Sequence, residues 1–144
     1  MKKDEANPDA WRPQLPFFLS PSHCRLIPVS IAKPEQMAYC KELMKKMQEK
    51  GIRAEIDDRE IMLKKKVVSA GKMWVPYILV VGDREVASRK LVVRSREDGD
   101  EGKGKVEGEE EFIERLARML EGYPQQRLPL PCLLSQQVIF SRLL

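Results

Sequence analysis

The sequence of this chain is poor in the residues on which most active sites depend. It contains one histidine, His23, and three cysteines in 144 residues. Cys24, Cys40 and Cys132 are odd in number, far apart and without a CxxC pair. This pattern supports neither a disulfide framework nor a zinc or thioredoxin-like site, and it is typical of reduced thiols in an intracellular protein. We therefore expect a cytoplasmic protein without a metal or cofactor.

Long apolar segments are missing as well. No apolar run approaches the roughly 20 residues that a membrane-spanning helix requires. The polar, acidic start of the chain does not have the pattern of a signal peptide. We therefore expect no membrane partner. Asparagine occurs only as Asn7 while Lys and Glu are abundant, a balance found in proteins from hot environments.

Catalytic and ligand-binding motifs are also absent from the sequence. His23 and Cys24 are adjacent, so on a strand they would point to opposite faces, and His23 is interpreted as a loop histidine with no special partner. The glycines between positions 99 and 108 alternate with Asp and Glu, which would repel phosphate. A calcium loop would need a glycine where Lys103 stands. The sequence shows no active site.

What the sequence does contain is an alternation of strand and helix patterns. Strands are predicted at 25–30, 52–57, 77–81 and 91–95, and a loop at 97–108. A first helix is predicted to begin at Pro34 and to end at Gly51. A second is predicted to start from an Asp58 cap, with the inner positions Met62, Leu63, Val67 and Ala70. A third is predicted to span 109–121. Residues 82–85 are predicted to form a turn. The order βαβαββα predicts an α/β fold with a mixed sheet and helices packed on it.

The length and composition of the chain predict one domain with an extension at each end. An apolar fraction of 42% and a charged fraction of 33% are typical of a globular chain with a single core. Residues 1–22 are expected to form an extended lead-in because of their prolines, with Trp11, Phe17 and Phe18 as anchors. The domain is predicted to span 23–122. Residues 123–144 are expected to form an extended tail whose apolar end needs cover.

Basic residues are concentrated in the centre of the chain, although the net charge is only +4. A solvated face is the ordinary explanation for such charges. Two details favour a polyanion-binding surface instead. Lys64 to Lys66 lie near a strand–helix junction, and Arg94 and Arg96 share one face of a strand, near Glu85. Paired guanidiniums form planar, bidentate hydrogen bonds with unpaired bases, and a carboxylate accepts from guanine, so single-stranded RNA is the predicted ligand.

The same stretch resembles the anticodon-binding domain of class II aminoacyl-tRNA synthetases of the threonyl, prolyl, glycyl and histidyl group. The resemblance covers about residues 15–134. It rests on Cys24-Arg25-Leu26-Ile27-Pro28-Val29, Gly-Ile-Arg-Ala-Glu-Ile-Asp-Asp-Arg (51–59), Leu-Lys-Lys-Lys-Val (63–67), Val-Pro-Tyr-Ile-Leu-Val-Val-Gly-Asp-Arg-Glu (75–85) and Val-Val-Arg-Ser-Arg (92–96). The segments 15–21, 121–124 and 128–131 are most similar to the archaeal type of threonyl enzyme.

The resemblance implies a mixed five-stranded sheet surrounded by three helices, placed at the C-terminus of a synthetase. It implies binding to the anticodon loop of threonine tRNA, with G and U at the second and third anticodon positions, and a catalytic domain as partner in cis or in trans. The parent would be a threonine–tRNA ligase, whereas this domain alone would be non-catalytic. The RNA-binding residues predicted from the charge pattern and the resemblance together are Arg59, Glu60, Lys64, Lys65, Lys66, Glu85, Arg94 and Arg96.

Two positions depart from the family pattern, and one alternative function stays open. The resemblance places anticodon contacts at Glu85 and Arg94, but Glu60 stands where the family commonly has asparagine. The family segment Leu-Gly-x-Lys-Ile-Arg is replaced by residues 63–68, which lack the glycine and the arginine. A related domain that serves as a non-catalytic accessory or protein-interaction module is the alternative.

Overall fold

The computed structural model describes residues 2–4, 7–12, 15–96, 104–124 and 130–137. Within these ranges the strands are β1 (Lys2–Asp4), β2 (Asn7–Arg12), β3 (Cys24–Pro28), β4 (Ala54–Ile56), β5 (Tyr77–Val81), β6 (Lys90–Ser95) and β7 (Lys105–Gly108). The helices there are α1 (Pro34–Glu49), α2 (Leu63–Lys72), α3 (Asp83–Ser88) and α4 (Glu109–Met119). Short 3-10 turns span Phe17–Leu19 and Leu134–Gln136. No helix in the described ranges is both long and apolar enough to cross a membrane.

Five of the strands form one mixed sheet, in the order β4-β3-β5-β6-β7. Strand β3 is parallel to both β4 and β5, whereas β6 runs antiparallel to β5 and to β7. The predicted mixed five-stranded sheet is confirmed. Strands β1 and β2 form a separate antiparallel pair before it. Helix α1 connects the parallel neighbours β3 and β4, and α2 connects β4 to β5 on the other side of β3, so both are crossover helices.

One face of the sheet and the helices α1 and α4 enclose the core. Alternate residues of the strands, such as Leu26, Leu79 and Val93, are buried against the apolar stripes of these helices. The helix boundaries follow the predicted signals. Pro34 occupies the first turn of α1, and Gly51 follows its end with a φ of 78°, a conformation that favours glycine.

Residues 83–88 and 105–108 differ in secondary structure from the sequence-based prediction. Residues 83–88 form the short helix α3 instead of a simple turn, so four helices are described around the sheet. The carboxylate of Glu85 accepts a hydrogen bond from the Gly82 N–H (2.8 Å), which satisfies a free donor at the start of α3. The predicted loop 97–108 ends in strand β7, which pairs with β6 and supplies the fifth strand.

Asp58 does not cap α2. The helix begins at Leu63, and its first residue is preceded by Met62 without any side-chain cap. Asp58 instead accepts hydrogen bonds from the N–H and the hydroxyl of Ser135 (2.8 and 2.6 Å). Asp58 therefore holds residues 132–137 beside β4, where the Ile56 N–H also donates a hydrogen bond to the Cys132 carbonyl.

The lead-in is anchored through its aromatic residues and through His23. Phe17 and Phe18 pack against the core, as predicted. The interpretation of His23 as a loop histidine without a partner is wrong. It is 1% exposed, its Nδ1 accepts from the Arg53 N–H (2.9 Å), and its ring lies 4.6 Å from that of Phe17. The side chain of Trp11 and the apolar end of the predicted tail, which comprises Val138, Ile139, Phe140, Leu143 and Leu144, lie outside the described residues.

Candidate nucleic-acid interface

The second face of the sheet is covered over only part of its width. Over β3 it carries the end of α2, because the guanidinium of Arg25 reaches the sulfur of Met73 (3.2 Å). Over β5, β6 and β7 the same face carries partly exposed residues, and Val106 at its edge is 66% exposed. These residues are Ile78, Val80, Val92, Arg94 and Val106, and we call them the open sheet face.

Arg94 is the cation of the open sheet face. It lies directly opposite Ile78 in the β5–β6 pair. Its Nε is buried, and among the described residues it has no hydrogen-bond partner. The residue as a whole is only partly buried, so the outer part of the guanidinium can offer planar N–H donors to a ligand. Arg94 therefore offers a base or phosphate a hydrogen-bond donor on an otherwise apolar surface.

The aliphatic part of the Arg94 side chain packs close to Gly104, the residue that precedes β7. The β6–β7 register, continued by one residue, puts Gly104 opposite Arg94. A methyl group at Gly104 would lie 2.6 Å from a methyl of Val92 and 3.3 Å from Cγ of Arg94. The side chains of Val92 and Arg94 thus occupy the space that a larger residue at position 104 would need.

We expect Gly104→Ala to destabilise the domain by about 1–3 kcal/mol, because Val92 cannot move its methyl without a rotamer change. Urea denaturation of the two proteins measures this loss. Gly71→Ala is the matched control, since a methyl group there meets nothing within 4 Å. Equal midpoints for wild type and Gly104→Ala would contradict the assigned packing around Arg94.

Glu85 lies at the other end of the strand pair from Arg94, and the two are not neighbours as the sequence suggested. Arg94 faces Ile78 near the start of β5, whereas Glu85 follows the end of β5 at Val81. Three residues of strand alone separate these ends by roughly 10 Å. One oxygen of Glu85 is engaged with the Gly82 N–H. The two side chains could therefore contact different nucleotides but could not hold one base between them.

Arg96 is tied to the end of α2. Its Nη1 donates to the carbonyl of Gly71 (2.7 Å), and its N–H donates to the carbonyl of Pro76 (2.8 Å). These contacts hold Arg96 at the same end of the sheet as Arg94. Its guanidinium therefore takes part in a contact within the fold, at the end of α2.

The three lysines at the start of α2 have different environments. Lys64 and Lys65 are exposed, as an RNA-binding surface would require. Lys66 is 3% exposed, and its ammonium donates to the carbonyl of Asp57 (3.1 Å). Burial lowers the pKa of Lys66, and the nearby Asp57 carboxylate partly offsets that effect. Lys66 is therefore an internal anchor of α2 rather than a surface cation.

A proline explains why the Asp57 carbonyl is available to Lys66. In a parallel ladder this carbonyl would receive the N–H of the residue two beyond Leu26, because Asp57 N–H already bonds to the Leu26 carbonyl (2.9 Å). That residue is Pro28, which has no N–H. The ammonium of Lys66 donates a hydrogen bond to the Asp57 carbonyl instead.

Arg59 forms a buried ion pair. Its Nε and Nη2 donate to the two oxygens of Asp57 (2.9 and 2.8 Å), and Nη2 also reaches the hydroxyl of Ser69 (3.2 Å). Burial tends to raise the pKa of Asp57, but the hydrogen bonds and charge of Arg59 outweigh it and hold that pKa below its usual range. Most donors of Arg59 are thus committed to the fold. Glu60, next to it, is exposed.

Arg25 was not singled out by the sequence analysis, although it is fully buried on this side of the sheet. Its Nε and Nη2 lie 2.7 and 2.6 Å from Oε1 of Glu55 on the neighbouring strand. The alternation of β3 places Arg25 opposite to Cys24 and Leu26, and this is the only signal in the sequence for its orientation. The described residues contain no cluster of three or more His, Cys, Asp or Glu that could hold a metal.

Comparison with known proteins decides the family. The sequence model described as "Anticodon binding domain" matches residues 23–117, well over half of the chain. The chain belongs to the anticodon-binding domain family. Threonine–tRNA ligase of Methanococcus aeolicus is 42% identical over 130 residues, which is 89% of this chain and 20% of that protein. The enzyme of Pyrococcus horikoshii is 40% identical over 129 residues, 90% of this chain and 20% of its own length.

Solved structures agree with this anticodon-binding domain in fold. The RNA binding domain of threonyl-tRNA synthetase from Cryptosporidium parvum Iowa II superposes with a TM-score of 0.64 at 22% identity, covering 77% of this chain and 26% of that one. Prolyl-tRNA synthetase from Cryptosporidium parvum gives 0.66 at 24% identity, covering 76% and 23%. The anticodon-binding domain spans about a fifth of the length of the curated relatives that it matches.

Proposed function

We propose that this domain binds the anticodon loop of threonine tRNA on its open sheet face, as part of a cytoplasmic threonyl-tRNA synthetase. Family membership and about 40% identity to threonine–tRNA ligases support this proposal. The ligase reaction belongs to a catalytic domain, joined to this one in cis or meeting it in trans. The domain itself contributes recognition of the tRNA. Its expected C-terminal position in the enzyme is part of the same proposal.

The observation that carries the proposal is the partly exposed side chain of Arg94 on the open sheet face. An RNA loop displays unpaired bases whose edges offer planar acceptors, and a guanidinium can engage these bidentately. Ile78 and Val92, on the same face, offer apolar contact to the flat surfaces of bases. The face is thus suited to single-stranded RNA rather than to a rigid duplex.

The two ends of the face would serve two nucleotides. Arg94 would read one base, and the free oxygen of Glu85, about 10 Å away along the strand, would accept from the amino or imino group of a guanine. Lys64 and Lys65, at the exposed start of α2, would contact phosphates and contribute affinity without base preference. Arg96 would support the strand near Arg94, and Glu60 would lie at the rim.

Binding of the purified domain to two anticodon stem-loops tests the proposal. One carries G and U at the second and third anticodon positions, and in the other both bases are changed. We expect tighter binding to the first, with an affinity that decreases as salt increases. Equal binding to both would leave a general RNA-binding surface. Absence of binding to either would refute the proposal and favour the alternative of an accessory or protein-interaction module.

Arg94→Ala is expected to weaken binding of the cognate stem-loop by about 1–3 kcal/mol, because it removes a bidentate base contact. Lys65→Ala is the matched comparison, since it removes an exposed cation from the same surface. We expect it to weaken both stem-loops alike and to make binding less dependent on salt. Fluorescence anisotropy with labelled RNA measures both effects. An unchanged affinity of Arg94→Ala for the cognate loop would remove Arg94 from the site.

A further inference from the structure

Trp74 is an exposed aromatic residue that the predicted RNA contacts do not include. It follows Met73, the residue at the C-terminal cap of α2, and it is 40% exposed. Among the described residues, no aromatic ring or cation lies against its indole. The comparably exposed Tyr123 differs in this respect, because its ring stacks on Phe18 at 4.1 Å. Trp74 is therefore partly exposed, and no ring of the described residues stacks on it.

The backbone places Trp74 beside the arginines of the open sheet face. The carbonyl of Gly71 accepts from both the Trp74 N–H (3.2 Å) and Nη1 of Arg96 (2.7 Å). A shared acceptor brings the guanidinium of Arg96 close to the Trp74 backbone. The Arg96 N–H in turn bonds to the carbonyl of Pro76, two residues after Trp74. Trp74, Arg96 and Arg94 thus lie at the same end of the β5–β6 pair.

The conformation of Trp74 is unusual for so large a residue. Its φ is 58°, in the left-handed region where glycine or asparagine is normally preferred. The turn that this angle produces ends α2 and starts the approach to β5. Lys72, also exposed, precedes it by two residues. An aromatic ring flanked by cations is the combination that binds single-stranded nucleic acid, because bases stack on the ring and phosphates are neutralised nearby.

We propose that the indole of Trp74 stacks on an unpaired base of a bound RNA loop, next to the nucleotide that Arg94 contacts. This inference rests on the proposed function and adds a position to it. Stacking is tolerant of base identity, because every base has a flat π surface. Trp74 would therefore contribute affinity for a splayed loop, while Arg94 and Glu85 contribute discrimination between anticodons.

Tryptophan fluorescence and affinity together test the inference on the full chain. The chain has two tryptophans, so Trp11→Phe makes Trp74 the single reporter. In this background the cognate stem-loop is expected to quench the emission, and a duplex made of the stem alone is not. Trp74→Ala is expected to weaken stem-loop binding about 5- to 100-fold, whereas Trp74→Phe retains most of the affinity because a ring remains.

Leu19→Ala is the matched control, because Leu19 is an exposed apolar residue of the lead-in, 56% exposed. We expect its affinity for RNA to equal that of wild type. Binding of the stem-loop without quenching of Trp74, or with equal affinity in Trp74→Ala and wild type, would overturn the inference and leave the proposed function standing. Failure of the wild type to bind any stem-loop would overturn both. Should Trp74→Ala not fold, the Trp74→Phe variant and the quenching measurement decide.

Discussion

Glu55→Ala is expected to lower the free energy of unfolding by about 3–5 kcal/mol, because it leaves a buried guanidinium without its counter-charge. Arg25 is 0% exposed, and Glu55 is the carboxylate that it contacts. The remaining contact of the guanidinium is the sulfur of Met73, and Nη1 has no partner among the described residues. Loss of Glu55 would therefore leave the buried guanidinium of Arg25 without the anion that it contacts.

A double-mutant cycle separates the ion pair from the space that it fills. Arg25→Met combined with Glu55→Ala removes both charges, and we expect this double variant to be more stable than Glu55→Ala alone. Glu42→Ala is the control, because Glu42 pairs with Arg89 on the exposed surface and its loss is expected to cost about 1 kcal/mol or less. Urea denaturation of wild type, Glu55→Ala, Arg25→Met, the double variant and Glu42→Ala provides the five values. A cost for Glu55→Ala as small as that of Glu42→Ala would refute the argument.

The sequence could predict the strands and helices that have a clear apolar pattern, but not the edge strand β7. Strand β5 was predicted because its apolar run is continuous, and α1 because its apolar residues recur at three- and four-residue spacings. Strand β7 was missed because its four residues are Lys, Val, Glu and Gly, which follow a Gly-rich acidic stretch and pair only with β6. A short edge strand depends on its partner for its conformation, and its own composition does not reveal it.

The candidate site was predictable in its charges but not in their positions. The sequence identified a cluster of cations around residues 59–66, yet Arg59 and Lys66 turn inward to Asp57 while Lys64 and Lys65 face solvent. This division arises from tertiary contacts, because only the folded chain brings the Asp57 carboxylate and carbonyl to those two cations. The separation of Glu85 from Arg94 likewise follows from the β5–β6 register, which no local pattern encodes.

His23 gives the second large effect, a loss of stability on mild acidification. Burial, together with the charge of Arg53, lowers the pKa of His23 from 6.5 to about 4, so the folded domain holds the neutral imidazole. The unfolded chain binds a proton near pH 6.5, well above the pH at which the folded chain does. Stability from the neutral ring is thus complete above pH 6.5 and is lost as the pH falls from 6.5 toward 4.

We expect the free energy of unfolding to fall by about 2 kcal/mol between pH 7 and pH 5. His23 is the single histidine of the chain, and the carboxyl groups whose pKa the fold lowers, Glu42, Asp57 and Asp83, titrate below pH 5 in both the folded and the unfolded chain, so most of the slope belongs to His23. Urea denaturation at half-unit steps of pH measures it. His23→Gln keeps an acceptor for the Arg53 N–H but cannot be protonated, and its stability should be nearly constant over the same range. An equal slope in both proteins would mean that His23 is already accessible to protons in the folded domain, and that the contact between the lead-in and Arg53 opens before the sheet does.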